Sequence, residues 1–229
     1  MGFIVNNTTF FNLLDLIAPH SCRGCGQLGE VLCERCKKHI ILSQNNICPN
    51  CKKPTDNHFC QNCEDFPPIF YIGPRDNLLA KLIHDFKYKS TRTIGFKFAD
   101  MLNELLPKDL SNIVIVSLPT STKHVRERGF DHTLLIAKHL AKLRHWQIKK
   151  VLVRSKNTVQ VGNDKKTREI QASNAYTVNR RIKIDSSYTY ILLDDVWTTG
   201  ASMKSAIKKL QQAGAKNIIA VLLAVNRLD

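Results

Sequence analysis

Apolar positions change period several times along the chain. In TTFFNLLDLIAP, Phe10, Leu13, Leu14 and Ile17 recur at helical spacing, which predicts an amphipathic helix docked on the protein's own body. Three later runs follow another rule. IVIVSLP (113–119), YILLDDV (190–196) and NIIAVLLAV (217–225) are short and almost continuously apolar, as strands buried on both faces must be. Between them, TLLIAKHLAKL (133–143) and ASMKSAIKKLQQAG (201–214) return to helical spacing. In the latter, Ala206, Ile207 and Leu210 face inward, Lys204, Lys208 and Lys209 stay wet, and Gly214 reads as the stop. Strands alternating with helices predict an α/β domain with a doubly wound parallel sheet, whose ligands bind at the carboxyl ends of the strands.

Charge divides the chain in two. Its formal net charge is +15, yet residues 1–70 hold 6 basic and 6 acidic side chains, so the whole excess lies downstream. With the Pro67-Pro68 pair, this predicts two units, 1–68 and 69–229. Such an excess favours salt-sensitive contact with a polyanion. Lys87, Lys89, Lys123, Arg126 and Arg128 are the candidate nucleic-acid contacts; Lys87, Tyr88 and Lys89 read equally well as stems covering the core. No apolar run reaches the roughly 18–20 residues of a membrane span. The start of the chain lacks the basic, apolar and small-residue order of an export signal. A cytoplasmic protein is expected, with at most peripheral contact at the inner membrane.

All eight cysteines fall in the first unit as four C-x2-C pairs: Cys22/Cys25, Cys33/Cys36, Cys48/Cys51 and Cys60/Cys63. Four such knuckles supply two tetrahedral all-sulfur sites, the set that structural zinc favours. A disulfide framework fits a secreted chain and is not expected here. Sequential and interleaved pairings of the knuckles use the same ligands. A segment of this size needs such a staple, having little core of its own.

The most informative stretch is YILLDDVWTTGASMKSA, residues 190–206. Apolar residues deliver two carboxylates, Asp194 and Asp195, to a strand's end, and Thr198, Thr199, Gly200, Ala201 and Ser202 then open a helix. Hydroxyls, helix-start N–H groups and a glycine suit a phosphate. The acids suit sugar hydroxyls or hydrated Mg²⁺ nearby. L-L-D-D-V-x-T-T-G-A-S resembles the signature of type I phosphoribosyltransferases, which bind phosphoribosyl pyrophosphate. The resemblance implies that Asp194 and Asp195 meet the ribose hydroxyls, directly or through Mg²⁺. It implies further that the loop through Val196 and Thr198 to Ser202 holds the 5′-phosphate, and that Ser117 and Leu118 face pyrophosphate. Arg126 and Arg128 would then stabilise the leaving diphosphate, with Lys123 beside them. His124 and His132, with no partner visible, are expected at the surface.

A longer resemblance runs through nearly the whole chain. LLDLIAPHSCRGCG (13–26), LCERC (32–36), IHDFKYK (83–89), SLPTSTKHVRERGFDHTLLIAKHLA (117–141) and the D-D-V-x-T-T-G-A-S loop together are similar to ComF-type competence proteins. Two places depart from that pattern. Asp131 stands where Asn is common. In TVQVGNDKKTREIQASNAY (158–176), Gln160, Arg168 and Ala175-Tyr176 match, but a leucine is missing near Asn163 and Gln171 replaces Asn. The resemblance implies a factor that handles single-stranded DNA with DNA-uptake proteins as partners, carrying two Zn²⁺ and binding phosphoribosyl pyrophosphate with Mg²⁺. The alternatives are an active phosphoribosyltransferase acting on a nitrogenous base and a ligand-sensing regulator. A glutamine amidotransferase is not expected, since Gly2 follows Met1 where an N-terminal cysteine nucleophile would be needed.

Overall fold

The computed structural model describes residues 20–42, 47–55, 58–63, 66–89, 91–155 and 175–226. The helix expected around Phe10–Ile17, and the positions Gln160, Asn163, Arg168 and Gln171, lie outside the described residues.

Five parallel strands form the centre: β3 (Ile69–Pro74), β4 (Ile113–Ser117), β5 (Gln147–Ile148), β8 (Thr189–Trp197) and β9 (Asn217–Val225), in the order β3-β9-β8-β4-β5. Two short antiparallel ribbons stand outside it, β1 (His20–Ser21) with β2 (Leu28–Gly29) and β6 (Leu152–Arg154) with β7 (Tyr176–Val178). The helices are α1 (Glu34–Leu42), α2 (Asn77–Tyr88), α3 (Arg92–Leu105), α4 (Thr122–Arg128), α5 (His132–Arg144) and α6 (Ala201–Gln212).

Both faces of the sheet are covered, which explains the unbroken apolar runs. Phe70, Ile72, Ile115, Ile191, Leu193 and Val221 pack on one face with Phe86 of α2, Phe98 and Leu102 of α3, and Ile136 and Leu140 of α5. Tyr71, Val114, Tyr190, Leu192 and Leu222 pack on the other with Met203, Ile207 and Leu210 of α6. Each fully buried residue of this kind contributes about 1.5–3 kcal/mol. The doubly wound parallel sheet expected from the sequence is therefore present.

The connection from β4 to β5 passes through α5 on the first face, whereas β8 reaches β9 through α6 on the second. The chain thus winds away in opposite senses on either side of the β4–β8 seam. Such a seam opens a crevice at the carboxyl ends of its strands.

The cysteine-bearing residues sit beside edge strand β3. Val31, Leu32 and Ile40 join the same apolar cluster as Phe70 and Phe86. On the other side, Tyr71 Oη donates to Ile47 O at 3.0 Å and Ile69 N–H to His58 O at 3.3 Å. An edge strand left bare would expose a row of unpaired amides, and these contacts cover it.

Candidate functional site

Both candidate acids lie at the tip of β8, beside the β4–β8 seam. Strand pleating alternates side chains between faces, and the alternation holds from Tyr190 to Asp195. The two carboxylates, expected to act side by side, therefore leave the strand in opposite directions. Asp195 points toward α2 and α5. Asp194 shares its face with Leu192 and Tyr176.

On the first side, Asp195 is already engaged. Lys87 Nζ pairs with its Oδ2, and His132 Nε2 lies 2.5 Å from the same oxygen. Arg128 Nη1 is 3.0 Å from His132 Nδ1. An arginine can only donate, so Nδ1 accepts and the ring proton sits on Nε2, aimed at Asp195. The row Arg128–His132–Asp195–Lys87 is the result. His132 is 3% exposed, which corrects its expected surface position. It opens α5 directly after the cap residue Asp131, and that placement turns the ring inward against Phe86, with centroids 6.1 Å apart. Nothing in the local pattern marks it, because its partner is 63 residues away.

The electrostatics of the two acids diverge. Burial alone would raise the Asp195 pKa, but the His132 hydrogen bond and the Lys87 charge outweigh it and hold the group well below the usual carboxylate range. For Asp194, burial first and the Asp195 charge second push the carboxyl up to about 7. The Asp195 N–H, donated to Asp194 Oδ1 at 2.8 Å, offsets only part of this. Burial and the Asp194 charge also raise the Tyr176 hydroxyl, whose other neighbour is the Ser202 side chain. Tyr176, to which no role is assigned from sequence, thus joins the candidate site.

The loop after β8 has the expected shape. Thr198 and Thr199 are exposed, and Gly200 opens α6 with φ +76°. A Cβ at Gly200 would overlap the Trp197 ring, so ring contact and left-handed backbone both demand glycine, before any ligand is considered. The Ala201 N–H points at Thr199 Oγ1, 3.4 Å away, and α6 has no side-chain cap. Its leading N–H groups are thereby turned toward the loop. Val196 is partly buried against the first cluster. Ser117 ends β4, while the Leu118 N–H donates to Leu193 O at 2.9 Å and its side chain is buried. Leu118 closes the seam and has no amide to spare for a diphosphate.

The cationic candidates separate. Lys123 and Arg126 are exposed on α4. Arg128 turns in to His132, with its guanidinium 5.2 Å from the Tyr88 ring centroid. Lys87 is committed to Asp195, and Lys89 pairs with buried Asp85 at 2.8 Å. Asp131, the departure from the expected Asn, caps α5 by accepting from the Leu134 N–H at 3.1 Å, a task either residue performs.

Cysteines gather into two groups, Cys22/Cys25/Cys33/Cys36 and Cys48/Cys51/Cys60/Cys63, with the sulfurs of each group within 4.8 Å of one another. This resolves the pairing as sequential. Sulfur separations of 3.7 Å (Cys25 to Cys33) and 3.4 Å (Cys51 to Cys60) approach the roughly 3.8 Å edge of a tetrahedron built on Zn–S bonds of about 2.3 Å. The Cys33 N–H is aimed at Cys22 Sγ, and Asn50 Nδ2 at Cys63 Sγ, both at 3.4 Å. A Cβ at Gly24 would lie 2.7 Å from Cys36 Sγ, so the first knuckle closes only around a glycine. The donor set and its spacing fit two tetrahedral metal ions.

No family model matches the chain. Curated proteins do. Competence protein ComFC of Bacillus subtilis is 26% identical over 204 residues, spanning 81% of this chain and 80% of that protein. ComFC of Streptococcus pneumoniae is 23% identical over 92% of this chain and 90% of its own length. Competence protein F of Haemophilus influenzae is 26% identical over 81% of this chain and 93% of its own. Over most of its length this chain is similar to the ComFC and ComF proteins. Among solved structures, glutamine phosphoribosylpyrophosphate amidotransferase of B. subtilis overlays 61% of this chain and 30% of its own, at 13% identity and a TM-score of 0.43. Hypoxanthine phosphoribosyltransferase of Staphylococcus aureus overlays 57% and 62%, with a TM-score of 0.37. Overlays this partial leave the strand order of the chain itself as the basis for its fold. Among the described residues, no helix is long and apolar enough to cross a membrane.

Proposed function

We propose that this protein is a competence factor for natural transformation. It handles incoming single-stranded DNA at the cytoplasmic side and holds phosphoribosyl pyrophosphate, with Mg²⁺, at the β8 tip. The observation that carries the ligand reading is the tip itself. A carboxylate and an uncapped helix start lie on either side of one tight loop at the β4–β8 seam. In this reading, Asp194 and Asp195 take the ribose hydroxyls and residues 198–202 the 5′-phosphate, while Arg126 and Lys123 are the exposed cations for diphosphate. When bound, Mg²⁺ would neutralise the diphosphate. Engaging Asp195 requires Lys87 to leave it. Each cysteine group would hold one Zn²⁺ as a structural staple.

The competence reading is supported by relatives of matching length and by the basic surplus of residues 71–229. Isothermal titration with phosphoribosyl pyrophosphate and Mg²⁺, repeated on Asp194→Ala/Asp195→Ala, tests the site. Binding by the wild type and none by the double variant is expected; equal binding by both would reject it. Release of stoichiometric pyrophosphate with any of a panel of nitrogenous bases would move the protein to the transferase alternative.

A further inference from the structure

Of the residues foreseen as nucleic-acid contacts, Lys87 and Arg128 are turned inward, to Asp195 and His132, and Lys89, though exposed, is paired with buried Asp85. A different surface presents both cations and a ring to solvent. Helices α3 and α5 lie side by side on the first face of the sheet, and between their outer surfaces runs a groove of about 380 Å³. Arg92, Lys138 and Lys142 stand on its walls, all exposed. Its one lining carboxylate, Asp131, is occupied as the α5 cap, with Thr133 Oγ1 also donating to it at 3.0 Å.

The floor is aromatic. Phe96 is 42% exposed, an unusual state for a phenylalanine on a helix whose other large apolar residues are buried or, at Leu105, partly buried. Its ring lies 4.8 Å from His139 at an interplanar angle of 36°, and His139 Nε2 is 3.4 Å from Asp100. At the end nearer the β8 tip, the Arg92 guanidinium sits 5.3 Å from the Phe130 centroid. The walls are fixed. A Cβ at Gly95 would strike Leu135 and Phe86, so α3 approaches α5 as closely as a glycine allows. At the far end, Arg144 of α5 donates to the carbonyls of Asn103, Leu106 and Pro107 at 2.8–3.0 Å.

We infer that this α3–α5 groove is a binding site for single-stranded nucleic acid, with a base stacked on Phe96 and phosphates drawn to Arg92, Lys138 and Lys142. A polyanion matches the three cations, and a flat ring offered to solvent selects a strand with unpaired bases over a duplex. Lys138 and Lys142 are four residues apart and so project from the same side of α5. The assignment rests on the competence reading above and adds the place where the strand lies.

Fluorescence anisotropy with a labelled oligothymidylate, on the full chain and across a salt series, tests this. Phe96→Ala should weaken binding about ten-fold or more by loss of stacking. Lys138→Gln/Lys142→Gln should weaken it and flatten the slope of log affinity against log salt by about 1.4, at about 0.7 per lost phosphate contact on a single strand. Phe96→Tyr should bind as the wild type does, and thermal melts should show each variant folded. Lys204→Gln/Lys208→Gln, on α6 across the sheet, should change little. If the wild type fails to bind the strand at any salt, the competence reading and the groove fall together. If it binds and the groove variants bind equally well, the groove alone is overturned. Preference for a duplex or for an acidic peptide over the single strand would overturn it too.

Discussion

Replacing Asp194 with asparagine should stabilise the ligand-free protein, increasingly so as pH rises. In the folded chain the Asp194 carboxyl is raised from an ordinary 3.8 to about 7, by burial and by the Asp195 charge. The folded state therefore binds a proton that the unfolded state has released throughout that interval. Below about 4 both states are protonated, and the favourable contribution is fully present. It is lost progressively as pH climbs to about 7, and above that both states are ionised. The displacement corresponds to about 4 kcal/mol at most. Asparagine keeps a carbonyl for the Asp195 N–H but brings an NH₂ that must find a partner in a half-buried place. A net gain of about 2 kcal/mol at pH 8 is the reasonable size, or about 4–8 °C in melting temperature for a chain of this length. Asp195, held well below the usual carboxylate range, stays ionised in both proteins over most of the measured range and adds little slope to the difference. Melts of wild type and Asp194→Asn at half-unit steps from pH 4.5 to 8.5 supply the measurement. A difference that stays flat with pH, or a variant less stable than wild type at pH 8, would refute the reasoning.

Other outcomes follow from the same structure. Gly200→Ala should cost about 2 kcal/mol or more, since a Cβ at φ +76° meets the Trp197 ring; an unchanged urea midpoint would contradict that. Lys87→Met should destabilise the protein by about 1–3 kcal/mol at neutral pH by leaving Asp195 to His132 alone, and the deficit should shrink as pH falls below about 4 and Asp195 takes up a proton. Cys22→Ser should lower bound zinc from two equivalents to one and melt the sheet earlier than Cys63→Ser, because Cys22 lies in the main apolar cluster; equal melting by the two variants would argue against that linkage.

The parts of the fold visible in the sequence are those set by local pattern. Unbroken apolar runs gave β4, β8 and β9, because a strand covered on both faces has no polar side to show. Knuckle spacing gave the two four-cysteine groups, because C-x2-C brings two sulfurs to one point whatever surrounds it. The loop after Asp195 was legible for the same reason. Strand β3 escaped notice: six residues ending in Gly73-Pro74 have no period to read, and its place in the sheet depends on β9 from the far end of the chain. The site was legible in composition and not in geometry. Two neighbouring aspartates read as a pair until the pleat separates them. His132 and Lys87 read as surface residues until α5 and α2 pack against β8, and that juxtaposition depends on contacts more than 60 residues apart in sequence.

The ion pair at the tip bears directly on how such a site works. Lys87 places an ammonium on Asp195, the position where a ligand hydroxyl or a hydrated Mg²⁺ would otherwise stand. A ligand that uses Asp195 must break that pair, and its net affinity is reduced by what the pair was worth. The lysine it displaces precedes Tyr88, whose ring carries the Arg128 guanidinium at 5.2 Å. A diphosphate arriving with its metal would meet that freed ammonium as a new partner, so the cation removed from the carboxylate is available to the charge that replaced it. An uncharged sugar brings nothing to compensate Lys87. Under the proposed function, the same geometry would favour ribose carrying a diphosphate over ribose alone, because only the former would offer Lys87 a charge in place of the Asp195 carboxylate.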